Sequence, residues 1–163
     1  MTDFLFCYEK RRIFAAKNRQ KTPHSMIIKQ VSVSIEDRVG SSWQVFQTLA
    51  DNRINILSYS IEDTPPQGTL RLIVDDAKKA DEVLRRVGFR TQLTSVYSMN
   101  VPNHIGSMSQ VLRHLAEQDV SIDFMYDFLY MGISQTVLHS RNMRQLEQVL
   151  TRYEQQQLNL PSK

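Results

Sequence analysis

Apolar residues beyond position 27 follow two rhythms that alternate along the chain. Val31, Val33 and Ile35 alternate with Ser32 and Ser34, the period of a strand with one buried and one polar face. Val45, Phe46 and Leu49 then follow helical spacing, opened by Gly40 and closed by Asp51-Asn52-Arg53. A second strand is expected over 54–62, a turn at Pro65-Pro66-Gln67-Gly68, and a third strand over 69–74. Ala80, Val83, Leu84 and Val87 stand at i, i+3, i+4 and i+7, and Gly88 ends that helix. A fourth strand is expected over 89–96. No turn residue separates Thr94 from Val101, so this strand should run straight into the next element without a flexible linker.

The same order then recurs. Met108, Val111, Leu112 and Leu115 mark a helix. Residues 120–128 alternate sharply, with Val120, Ile122, Phe124, Tyr126 and Phe128 on one face and Ser121, Asp123 and Asp127 on the other. The apolar face is expected to point into the core under the helices. Tyr130-Met131-Gly132 turns, 133–139 is a strand, and Met143, Leu146, Leu150 and Tyr153 mark the last helix, after which a fourth strand is short or absent. The β-α-β-β-α-β order predicts an α+β fold. It comprises two ferredoxin-like units in tandem, antiparallel sheets with helices on one face.

The halves also match residue by residue. Gly40 and Gly106 lie 66 positions apart, and at that offset Gln44 meets Gln110, Val45 Val111, Leu49 Leu115, Ala50 Ala116 and Ile56 Ile122. A repeat of this length without a gap marks two copies of one unit, with expected bounds 27–95 and 96–163. Units near 70 residues hold marginal cores, so each should lean on its neighbour or on a second chain.

Charge sets residues 1–26 apart. The formal net charge is +3, from 20 basic and 17 acidic residues. Residues 1–25 hold six of the basic and two of the acidic ones, leaving 14 and 15 for the rest. The folded part is thus near neutral and lacks a field that would attract nucleic acid. The leader reads as a disordered basic tail or as the product of a start upstream of Met26, with a binding arm as the alternative. Cys7 is the single cysteine, so no disulfide can form within the chain and no cysteine-based metal site is expected. No apolar run reaches the length of a membrane span. These features suggest a cytoplasmic protein.

Catalytic signatures are missing. There is no GxSxG, P-loop or HExxH, and the histidines lack close ligand spacing. The expectation is a binding protein and not an enzyme, without cofactor or metal. RNA recognition on this fold uses aromatics on strands one and three, where this chain has Val31-Ser-Val-Ser-Ile35 and Thr69-Leu-Arg-Leu-Ile-Val74.

The two copies resemble the ACT domain, a small ligand-binding regulatory module. The resemblance rests on the loops Asp37-Arg38-Val39-Gly40 and Asn103-His104-Ile105-Gly106, on Leu49-Ala50 and Leu115-Ala116, on Ile54-Asn55-Ile56 and Val120-Ser121-Ile122, and on Gly68 to Asp76 as the third strand. It covers about residues 27–155. The family pattern implies an effector, commonly an amino acid, held between the glycine loop of one domain and strand two of a neighbour. Carried over, the loop residues are Asp37, Arg38, Val39, Gly40 and Ser41, and Asn103, His104, Ile105, Gly106 and Ser107. The strand-two residues are Asn55 and Ile56, and Ser121 and Ile122. Proline often precedes the family's glycine; Val39 and Ile105 stand there here. A glycine loop entering a helix presents backbone N–H groups suited to a carboxylate, and Asp37 could meet an ammonium. The implied protein is a regulator, a homodimer, acting on a protein partner; a dimerising scaffold without ligand is the alternative.

Overall fold

The structure, a computed structural model, describes residues 25–36, 38–62, 67–130 and 133–158. Along them run β1 (Ser25–Ile35), α1 (Ser41–Asp51), β2 (Ile56–Glu62), β3 (Gly68–Val74), α2 (Ala77–Arg86), β4 (Arg90–Met99), α3 (Ser107–Glu117), β5 (Phe124–Tyr130), β6 (Ile133–His139) and α4 (Met143–Leu158). Residues 1–24 of the expected leader, the prolines of the 65–68 turn and Met131-Gly132 of the second turn lie outside the described residues, while Ser25 and Met26, expected in the leader, open β1.

All six strands join one antiparallel sheet in the order β2-β3-β1-β4-β6-β5. Its centre is the long β1–β4 pair. The expected boundary between 95 and 96 falls inside β4, one continuous strand that pairs with β1 over its length and with β6 at Tyr97–Met99. The 66-residue offset appears in this pairing. It carries Val31 onto Tyr97 and Ile27 onto Leu93, and Val31 opposes Leu93 as Ile27 opposes Tyr97. A pseudo-two-fold axis therefore passes through the β1–β4 ladder. The early part of β1 lies beside Val96–Met99, in the place of the second unit's fourth strand. The expectation of a short or absent strand after α4 is thus answered by chain from the other end of the sequence: α4 runs to Leu158.

The helices cover one face of the sheet over two cores. Val31, Val33, Ile35, Leu70, Leu72 and Val74 meet Val45, Leu49, Ala80, Val83 and Leu84 in the first. Tyr97, Met99 and Leu138 meet Val111, Leu115, Leu146 and Leu150 in the second. Each fully buried leucine or valine contributes roughly 1.5–3 kcal/mol. Local chemistry fixes the helix ends. Asp76 Oδ1 accepts the Lys79 N–H at 3.0 Å, capping α2, and Gly88, at φ +96°, ends that helix in the left-handed turn expected of it.

The other face carries a third core, which corrects one expectation. Phe124, Tyr126 and Phe128 turn away from the helices and pack with Ile28, Leu57, Ile73, Val96 and Val137. Val120 and Ile122 do lie under the helices. The alternation breaks at Asp123, whose N–H donates to the His139 carbonyl at 2.9 Å, and the strand starts only at Phe124. The sheet curls around this third core until Cα atoms of its two edge strands, β2 and β5, approach within 8 Å. Side chains cross the enclosed space. The Arg71 guanidinium lies 4.3 Å from the Phe124 ring centroid, and the Tyr126 hydroxyl donates to Gln30 Oε1 at 2.8 Å.

Candidate functional site

The two glycine loops fold alike. Gly40 has φ +91° and Gly106 φ +87°, a conformation that glycine adopts without strain. Ser41 N–H donates to the Arg38 carbonyl and Ser107 N–H to that of His104, each at 3.2 Å; Gln44 and Gln110 N–H bond the glycine carbonyls, each at 3.0 Å. Both glycines are N-caps, and neither helix has a side-chain cap. Val39 and Ile105 are fully exposed at the loop tips.

The first loop borders a cavity. This space, of about 610 Å³, is lined by Ser34, Glu36, Arg38, Ser41, Trp43, Gln44, Gln47, Thr48, Asp51, Gln67 and the segment Val87–Arg90. Its wall opposite the loop is the connection from α2 into β4. The Arg38 guanidinium pairs with Glu36 at 2.8 Å and donates to Gln44 Oε1 at 3.3 Å. Ser34 donates to Gln67 Oε1 at 2.9 Å. With Asp51 and Arg90 the lining holds two guanidinium groups and two carboxylates. Ser41, the first residue of α1, is buried, and its Oγ has no hydrogen-bond partner among the described residues. An orphaned buried hydroxyl is uncommon, and it belongs to one of the residues that line the cavity.

The carried-over residues fall into separate places. Arg38 and Ser41 line this cavity; Gly40 shapes the turn and Val39 points into solvent. Asp37 lies outside the described residues. Asn55 and Ile56 sit across α1, lining a second cavity of about 740 Å³ that also touches Trp43 and Gln47. Asn55 is held there by exchange with Asp75: its N–H donates to Oδ1 at 2.9 Å, and its carbonyl accepts the Asp75 N–H at 3.0 Å. Asn103, His104, Ile105, Gly106, Ser107, Ser121 and Ile122 line neither cavity. Sequence reasoning missed Gln67 and the Val87–Arg90 wall, which reach the loop only through the sheet. Gln44 carried a signal, as one of the polar pairs kept in both copies.

Among the described residues no cluster of His, Cys, Asp or Glu could hold a metal ion, and no helix is long and apolar enough to cross a membrane.

Comparison with known proteins bears on these features. A family model described as an ACT domain pair matches residues 26–159. Protein BT0572 from Bacteroides thetaiotaomicron is 31% identical over 80% of this chain and 90% of its own, with a TM-score of 0.74. The ligand-free regulatory subunit of aspartate kinase from Thermus thermophilus is 18% identical over 78% of this chain and 95% of its own, TM-score 0.54. Aspartate kinase from Synechocystis matches 85% of this chain with 27% of its own, at 15% identity and TM-score 0.54. The last two share the fold. No curated protein matches the chain. From the duplicated glycine loops, the single sheet and a family match spanning both units, the chain belongs to the ACT domain-pair family.

Proposed function

We propose that this protein is a non-enzymatic regulator that binds an amino acid in the cavity at its first glycine loop. The observation that carries the reading is Ser41, whose buried hydroxyl lacks a partner where the uncapped N-terminus of α1 meets that cavity. A ligand carboxylate would accept from this hydroxyl and from the N–H groups of the helix's first turn. The ligand's ammonium would be met by Glu36 or Asp51, and the paired charges of the lining suit a zwitterion better than a single ion. Similarity in fold to the regulatory subunit of an aspartate kinase supports a regulatory role. Binding would favour one conformer of the pair and pass its effect to a protein partner in the cytoplasm. Two small units with exposed edge strands also support a homodimer.

The test is thermal unfolding of the full chain against the twenty amino acids. A ligand that binds only the folded state stabilises it by roughly 2.7 kcal/mol at a hundred times its Kd. One amino acid should raise the melting temperature with concentration. Ser41→Ala should abolish that rise while leaving the unliganded protein as stable or more so, since it removes an unsatisfied buried group. A flat screen at millimolar concentrations would refute the reading.

A further inference from the structure

The second cavity differs in chemistry from the first. It lies between the two units, with α1 and β2 on one side and β5 on the other. Trp43, Phe46 and Tyr59 bring three aromatic rings to its lining, and Asp127 is the one charged residue there. Phe46 and Tyr59 meet edge to face, centroids 5.2 Å apart at 83°, so each ring is held by the other. The Thr136 hydroxyl donates to Asp127 Oδ1 at 2.6 Å, which fixes the carboxylate on its strand. Trp43, Tyr59 and Leu129 are each more than half exposed, although they are large apolar side chains gathered in one place. A cluster of this kind marks a binding surface.

We propose that this junction is a second ligand site, and that it takes a small organic cation: an amine or alkylated ammonium with an apolar body. Aromatic faces attract cations through their quadrupoles, and a lone carboxylate beside them supplies the counter-charge. A zwitterion or anion would place its carboxylate among rings and Asp127 with no cation to meet it. The site gathers residues from both units, so its occupant would touch β2 and β5 together, where the curled sheet brings its edges close.

Trp43 is the protein's single tryptophan; it lines both cavities and reports binding at either by fluorescence, so the variants decide which one is filled. The full chain is titrated with choline and, separately, with 3,3-dimethyl-1-butanol, its neutral counterpart of matching shape. Choline should bind about tenfold more tightly or better, the discrimination a partly desolvated aromatic site provides. Asp127→Asn keeps an acceptor for Thr136 and Tyr59→Leu keeps apolar bulk at an exposed position. Each should reduce that preference severalfold while leaving the circular dichroism spectrum and melting temperature near those of the parent. Equal affinity for the two probes overturns the proposal. So does choline binding that persists undiminished in both variants, which would place the cation elsewhere near Trp43. Neither result touches the amino-acid screen at the first cavity, so the two readings fail separately.

Discussion

Tyr126→Phe removes one oxygen and tests how the curled sheet is held. The Tyr126 hydroxyl on β5 donates to Gln30 Oε1 on β1 at 2.8 Å, across the third core. Gln30 is fully buried, and its Nε2 already donates to Ser32 Oγ at 2.9 Å. Without the tyrosine hydroxyl its Oε1 loses this donor in a place water reaches poorly. Leaving a buried acceptor unsatisfied costs roughly 1–3 kcal/mol, which in a chain of this size lowers the melting temperature by roughly 2–4 °C per kcal/mol. The pH dependence is a sharper test. Burial raises the Tyr126 pKa well above the usual tyrosine value, with Arg71 opposing it weakly. The folded state therefore keeps this proton where the unfolded chain has begun to lose it. Stability from the group is complete below pH ~10 and is lost as pH rises towards the folded pKa, at up to ~1.4 kcal/mol per pH unit. Phenylalanine has no such proton. In urea unfolding, the gap between parent and variant should be full at pH 7 and should narrow above pH 10. Adding Gln30→Met, which removes the stranded acceptor as well, should restore most of the loss at pH 7. A variant as stable as the parent at pH 7, or a gap unchanged at pH 10.5, would refute the reasoning.

Gly40→Ala and Gly106→Ala should each destabilise by ~1 kcal/mol and by nearly the same amount, read by urea unfolding. Both residues sit at the same positive φ, and an added Cβ meets nothing within 4 Å at either, so backbone strain alone decides the cost. Arg71→Met should cost ~1–2 kcal/mol in the same assay. It removes the guanidinium over the Phe124 ring and the ion pair with Glu62; because Glu62 is half exposed, most of the loss belongs to the stacking and little should vanish in high salt.

The local pattern of the chain revealed the elements but not the curl of the sheet. The spacing around Val31, Val45 and Ala80 placed strands and helices within a few residues. The fusion of two strands into β4 was legible from the absence of a turn between Thr94 and Val101. Alternation at Phe124, Tyr126 and Phe128 told that one side of the strand is apolar, but it could not tell which side of the sheet. That depends on the bend at Asp123 and on twist accumulated over six strands, neither of which a single segment encodes. A weaker signal was present. Leu72-Ile73-Val74 is apolar without alternation, as a strand buried on both faces should be; Ile73 belongs to the third core, while Leu72 and Val74 belong to the first.

Duplication supplied two loops of one geometry, and the sheet gives them different surroundings. The first cavity needs the connection Val87–Arg90, where α2 stops at Gly88 and the chain turns back into β4. In the second unit the corresponding place in the sheet is filled by the early part of β1, which comes from the other end of the described chain and not out of α4. Its last helix, α4, is 16 residues long where α2 has 10, and no described strand follows it. The loop of Asn103–Gly106 therefore has the same backbone as its counterpart, but among the described residues no connection out of its own second helix faces it. An amino acid bound as proposed should show a stoichiometry of one per chain by calorimetry. Two equivalent sites per chain would mean that the wall contributes nothing and that the loop and helix N-terminus suffice.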